Sequence, residues 1–194
     1  VCVIGSGPAG IIVALEYSRL NPDRKVVLIE YGSKDQKPKN DLDDSIEIKN
    51  PVNHYVPYEC TNKGFGGTSA SWGGRCVMFD EVDFTQRPIL EDGCTWNAEL
   101  FKELADYLPA AAEYFECGNA IFNLNEIPRF RNQRIAENFS GGIVTYSVVE
   151  RWSMPTRFGK RYAKDIAACS NLTLLQAFEA RDFSTPEKDG KISW

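Results

Sequence analysis

Apolar residues open the chain as an unbroken run, Val1-Cys2-Val3-Ile4, that ends at a glycine. A short apolar run closed in this way predicts a strand covered on both faces. From Ile11 to Leu20 the spacing turns helical, and Lys25 to Ile29 returns to a second apolar strand that ends in Glu30. Residues 33–63 then become polar and mixed in charge around Pro38, which predicts a loop excursion. Between Asn97 and Phe115, the residues Leu100, Phe101, Leu104, Leu108, Ala111 and Phe115 recur at helical spacing, with a break expected at Pro109. Around Glu150 to Lys164 a further helix is predicted. Phe158, Tyr162 and Ile166 form its apolar line, and Arg151, Arg157, Lys160, Arg161 and Lys164 its wet face. Leu172 to Leu175 reads as a short strand and Phe178 to Phe183 as another. Asp189-Gly190 predicts a hairpin turn into Lys191 to Trp194.

Strand, helix and strand in direct succession place the chain in the α/β class, with a parallel sheet and a helical insertion over about residues 97–165. A parallel sheet needs more strands than these to cover its faces, so the chain reads as the first part of a longer protein.

The junction between the first strand and the first helix is Gly5-Ser6-Gly7-Pro8-Ala9-Gly10. Glycines at the first, third and sixth positions allow a tight turn, close approach of a pyrophosphate, and close packing of helix on strand. The unpaired N–H groups and positive dipole end of the helix then face the anion. Glu30 follows Gly10 by twenty residues, where a carboxylate reaches the ribose hydroxyls of an adenosine and repels a 2′-phosphate. The pattern predicts FAD or NAD binding rather than NADP binding.

A second glycine stretch runs from Gly64 to Gly74 and holds five glycines in eleven residues, with Thr68 and Ser69 as added donors and Phe65 and Trp72 as apolar anchors. Backbone N–H groups in such a loop can approach a ligand closely.

Composition narrows the partners. The 194 residues carry a net charge of −5 with a pI near 5.1, which argues against nucleic acid or an anionic membrane as the main partner. No apolar run approaches the ~18 residues of a membrane span. The six cysteines (Cys2, Cys60, Cys76, Cys94, Cys117 and Cys169) are scattered without metal-ligand spacing. Free thiols favour a reducing compartment, and a cytoplasmic location is the expectation. The lone histidine, His54, lies in a polar stretch with no acid or nucleophile placed near it by spacing.

With both glycine stretches in hand, the chain resembles the glucose–methanol–choline family of FAD-dependent oxidoreductases. Three blocks carry the likeness. They are Gly5 to Gly10 with Glu30; Gly66-Gly67-Thr68-Ser69-Ala70-Ser71-Trp72-Gly73-Gly74-Arg75 followed by Asp83-Phe84; and Asn171-Leu172-Thr173-Leu174 running on to Ala180. The resemblance implies a Rossmann-like, doubly wound FAD-binding fold. It implies that Gly67, Thr68, Gly73 and Gly74 wrap the pyrophosphate and flavin ring, and that backbone near Ala180 meets the adenine. It also implies oxidation of a CH–OH group of a small alcohol or sugar-like substrate. Trp72 stands where many members carry Asn. Ser71 stands where members with covalent FAD carry His, so non-covalent FAD is expected. The family's catalytic base lies in a C-terminal part beyond these residues, and the electron acceptor is not legible. An NAD-dependent dehydrogenase accounts for the first block but leaves the second without a role; a non-catalytic dinucleotide-binding module is the reading from outside enzymology.

Overall fold

The computed structural model describes residues 1–33, 48–50, 52–53, 61–87, 96–130 and 147–182. His54 and the expected hairpin at Asp189-Gly190 lie outside the described residues. The chain divides into two compact units. The first joins Val1–Ser71 to Arg157–Trp194, and the second is Trp72–Thr156.

In the first unit, β1 (Cys2–Ile4), α1 (Pro8–Leu20), β2 (Val26–Glu30), α3 (Phe158–Ala168) and β5 (Leu172–Gln176) form a mixed α/β arrangement. The three strands make one parallel sheet in the order β1-β2-β5. The register sets Cys2 against Val27, and Val26 to Glu30 against Leu172 to Gln176. Period-two alternation along β2 puts Val26, Leu28 and Glu30 on the buried face. α1 packs on β1 and β2, and α3 packs on α1 and β5. Ile11, Leu28 and Phe158 are fully buried there, each contributing about 1.5–3 kcal/mol of transfer free energy. The apolar line of α3 lies in this core as expected, with Phe158, Tyr162 and Ile166 all buried. The Asn171 side-chain amide then ties the start of β5 to the end of α1, donating toward the carbonyls of Ser18, Asn21 and Arg24 at 3.2, 3.1 and 2.9 Å.

Several expectations are corrected. β1 is less buried than its apolar run predicts, with Ile4 47% exposed, because among the described residues the strand is paired on one side only. Phe178 to Asp182 is not a strand; it leaves β5 through Ala177, whose φ is +63°. Its start is pinned instead by the Phe178 N–H on Glu30 O (3.0 Å).

In the second unit, β3 (Arg75–Cys76) and β4 (Arg151–Trp152) form a short antiparallel ladder, Arg75 against Trp152 and Cys76 against Arg151. Helix α2 (Ala98–Tyr114) is capped by Asn97, whose side chain accepts from the Leu100 N–H at 2.9 Å. The helix runs through Pro109 rather than breaking there. Pro109 and Ala105 are both exposed, so the carbonyl that loses its helical donor to proline belongs to a residue open to solvent. Arg151 belongs to β4 and not to the wet face of α3, since that helix starts only at Phe158. No helix among the described residues is long and apolar enough to cross a membrane.

Candidate functional site

The first glycine turn carries Gly5 to Gly10 from the end of β1 into α1. At Gly10 a Cβ would overlap the carbonyl of Gly5, so helix and strand meet there only because the residue has no side chain. At Gly7 a Cβ would meet nothing within 4 Å. Gly7 is the N-cap of α1 and offers no side-chain hydrogen bond to the helix, and Pro8 occupies the first turn. The amides of the first turn of α1 are thus left uncapped by the N-cap side chain, beside open space.

The second glycine stretch comes to the same place within the first unit. Gly66 N–H donates to Ser6 O at 2.9 Å, and a Cβ on Gly67 would stand 3.0 Å from the Gly7 Cα. Gly66 has φ of +99°, a backbone state that side-chain-bearing residues rarely adopt. Gly67–Ala70 then forms one 3₁₀ turn. Buried Ser69 holds that turn on α3: its hydroxyl donates to Gly66 O (2.6 Å) and accepts from the Phe158 N–H (3.1 Å). Thr68 is exposed, and its hydroxyl accepts from the Asn62 N–H at 3.4 Å.

Glu30 closes the cluster, with only 6% of its surface exposed. Oε2 accepts from the Ser6 N–H (3.0 Å) and the Ser6 hydroxyl (2.6 Å). Oε1 accepts from the amides of Gly32 (2.8 Å) and Gly64 (2.9 Å). Burial works to raise the pKa of this carboxyl. The hydrogen bonds from Ser6, Gly32 and Gly64 outweigh it and hold the group below its ordinary value. A carboxylate has about four acceptor positions, and here four protein donors fill them. A further donor can therefore reach Glu30 only by replacing one of its present four.

Ala180 is exposed, two residues beyond the Phe178 amide that is pinned to Glu30 O. The remaining sequence candidates belong to the second unit. The Trp72 indole N–H donates to Thr156 O at 2.8 Å, and its ring meets Phe115 edge-on at 5.7 Å. Gly73 is exposed; Gly74 is buried, with φ of +89°, and a Cβ on it would overlap Ser153 O. Ser71, in the first unit, accepts a short hydrogen bond from the Asn62 side-chain amide.

Three contributors were not picked out from sequence. A Cβ on Gly159 would overlap Phe65 O, so α3 can lie against the second glycine stretch only with glycine there. An isolated glycine inside an amphipathic helix was the available signal. Arg157 is half-buried and donates to Ser69 O at 3.0 Å, which corrects its assignment to a solvated helix face. Lys63 stands over the Tyr31 ring at 4.8 Å. It also lines a cavity of about 480 Å³ in the first unit, together with Phe65, Ile166, Leu172, Leu174 and Gln176.

Among the described residues no three His, Cys, Asp or Glu side chains are grouped to hold a metal ion. No protein-family model matches the chain, and neither a curated protein nor a solved structure matches it.

Proposed function

We propose that the chain binds FAD non-covalently, as the cofactor-holding portion of an oxidoreductase acting on CH–OH groups, within a Rossmann-like fold. The observation that carries this reading is the meeting of two glycine stretches, some sixty residues apart in sequence, at the uncapped start of α1. A turn needed only for chain reversal does not require a second glycine stretch held against it.

The amides at the start of α1 would take the pyrophosphate, since they carry the positive end of the helix dipole and face open space. Gly66 and Gly67 bring a second backbone close to the same anion without side chains in the way. Glu30 holds the turn together through Ser6 and Gly64. It would accept from a ribose hydroxyl once the Ser6 hydroxyl, the one rotatable donor among its four, turns aside. Gly73, Gly74, Trp72 and the backbone near Ala180 are assigned to the cofactor by resemblance to the glucose–methanol–choline family. When bound, FAD supplies the two-electron acceptor for a hydride leaving a substrate CH–OH carbon.

The test is the cofactor itself. Protein purified with FAD present should keep a flavin absorption spectrum after desalting and release FAD, not FMN, into an acid supernatant. Bound NAD with no flavin would replace this reading with a nicotinamide dehydrogenase, and uptake of neither would remove it.

A further inference from the structure

Cys76 and Cys117, both in the second unit, lie 41 residues apart in sequence, and their thiols are near enough to influence each other's ionisation. Their backbones are held together by one residue. Arg151 is the ladder partner of Cys76 in the β3–β4 pair, and its Nε donates to Cys117 O at 3.2 Å. The segment bearing Cys117 is itself fixed. Past the end of α2, Glu116 has φ of +50° and Gly118 has φ of +79°. Between them the Cys117 N–H donates back to Ala112 O at 3.1 Å, as in a helix C-terminal motif. Each sulfur also has its own carbonyl, Gly74 O at 3.5 Å for Cys76 and Ala112 O at 3.6 Å for Cys117. The two differ in access: Cys117 is 5% exposed and Cys76 is half-buried.

From this pairing we propose that Cys76 and Cys117 form a site of reversible oxidation, closed to a disulfide by exchange with a low-molecular-weight disulfide. Cys76, the more accessible, loses its proton and attacks one sulfur of the small disulfide. That S–S bond breaks, one small thiolate leaves, and a mixed disulfide stands on Cys76. Cys117 then loses its proton and attacks the Cys76 sulfur, expelling the second small thiolate. Two protein thiols are oxidised and one small disulfide is reduced to two thiols, with both protons passing to the leaving thiolates. Burial, and after it the neighbouring Cys117 thiol, push the Cys76 pKa up to about 11, so the first step is slow at neutral pH. The new bond would tether the end of α2 to β3, directly after Gly73 and Gly74. The proposal is independent of flavin binding.

The experiment is incubation of the full 194-residue chain with millimolar oxidised glutathione, alkylation of remaining thiols, and non-reducing peptide mapping. The expected result is a peptide joining the segments of Cys76 and Cys117, lighter by two hydrogens than the separate pieces and split by dithiothreitol. In Cys117→Ser, Cys76 should stop as the glutathione adduct. In Cys76→Ser, Cys117 should emerge unmodified, with native far-UV circular dichroism verifying the fold of both variants. A glutathione adduct that persists on Cys76 of the unmutated chain, a link from either residue to another cysteine, or two thiols still free after the incubation would each overturn the proposal.

Discussion

Replacement of Glu30 by Gln tests the centre of the candidate site, because it keeps shape and size while removing charge and half of the acceptors. The amide group must face one pair of donors. If it faces Gly32 and Gly64, two amides lose their acceptor. If it faces Ser6, the hydroxyl can rotate to accept, and only the Ser6 N–H is orphaned. The second orientation is cheaper. Ser6 is fully buried, so its orphaned N–H costs about 1–3 kcal/mol. The bonds that remain lose their charge, at about 1 kcal/mol each. Relief from burying a carboxylate offsets part of this, and the net expectation is a loss of about 2–4 kcal/mol.

Urea unfolding followed by far-UV circular dichroism measures the loss as a lower midpoint at an unchanged slope. The pH dependence has a definite sign. The folded-state pKa of Glu30 lies below the ordinary value of 4.5, so its stabilisation is fully present above that value and is lost as pH falls through the lower folded-state value. The difference between wild type and Glu30→Gln should therefore be constant near pH 7 and shrink below pH 4.5. A change under about 0.5 kcal/mol at pH 7 would refute the hydrogen-bond accounting, as that is the range of ordinary surface substitutions. A difference that persisted unchanged well below pH 4 would refute the assignment of charge.

Two of the three glycines of the first turn, Gly7 and Gly10, should respond oppositely. Gly7→Val meets open space, so the protein should fold with little change in urea midpoint yet lose flavin uptake. Gly10→Ala overlaps the Gly5 carbonyl and should destabilise by about 1–3 kcal/mol even without cofactor; retained flavin in a folded Gly7→Val would remove the pyrophosphate from this position. Pro109→Ala restores an N–H donor to an exposed helix interior and should raise stability, by up to about 3 kcal/mol on the propensity scale, read as a higher midpoint; a lowered midpoint would show that the proline packs rather than interrupts. Peptide-resolved iodoacetamide labelling of Cys76 should accelerate about tenfold per pH unit from 7 to 9.5, because the pKa near 11 keeps the thiol protonated throughout. A rate that levels off near pH 8.5, as for an ordinary thiol, would contradict the raised pKa of Cys76.

The local pattern was enough for the elements whose partners are near in sequence or whose periodicity is strong. β1, β2 and β5, the apolar line of α3, and the glycine turn between β1 and α1 follow from runs, spacing and residues that permit close approach. The same pattern failed where contact or exposure decides. The run at Val1 to Ile4 cannot say how many neighbours the strand has, and Pro109 cannot say whether water will solvate the carbonyl it leaves unpaired. Arg151 and Arg157 looked like solvent-facing charges because a one-dimensional pattern does not show that they donate to the carbonyls of Cys117 and Ser69, 34 and 88 residues away. Glu30 ends β2, as the apolar run before it predicts, and its burial follows from alternation along that strand. Only the tertiary structure decided that its four acceptor positions go to Ser6, Gly32 and Gly64. A hydrogen bond forms between groups that folding brings together, and the sequence separation of Glu30 from Gly64, or of Cys76 from Cys117, carries no trace of that approach.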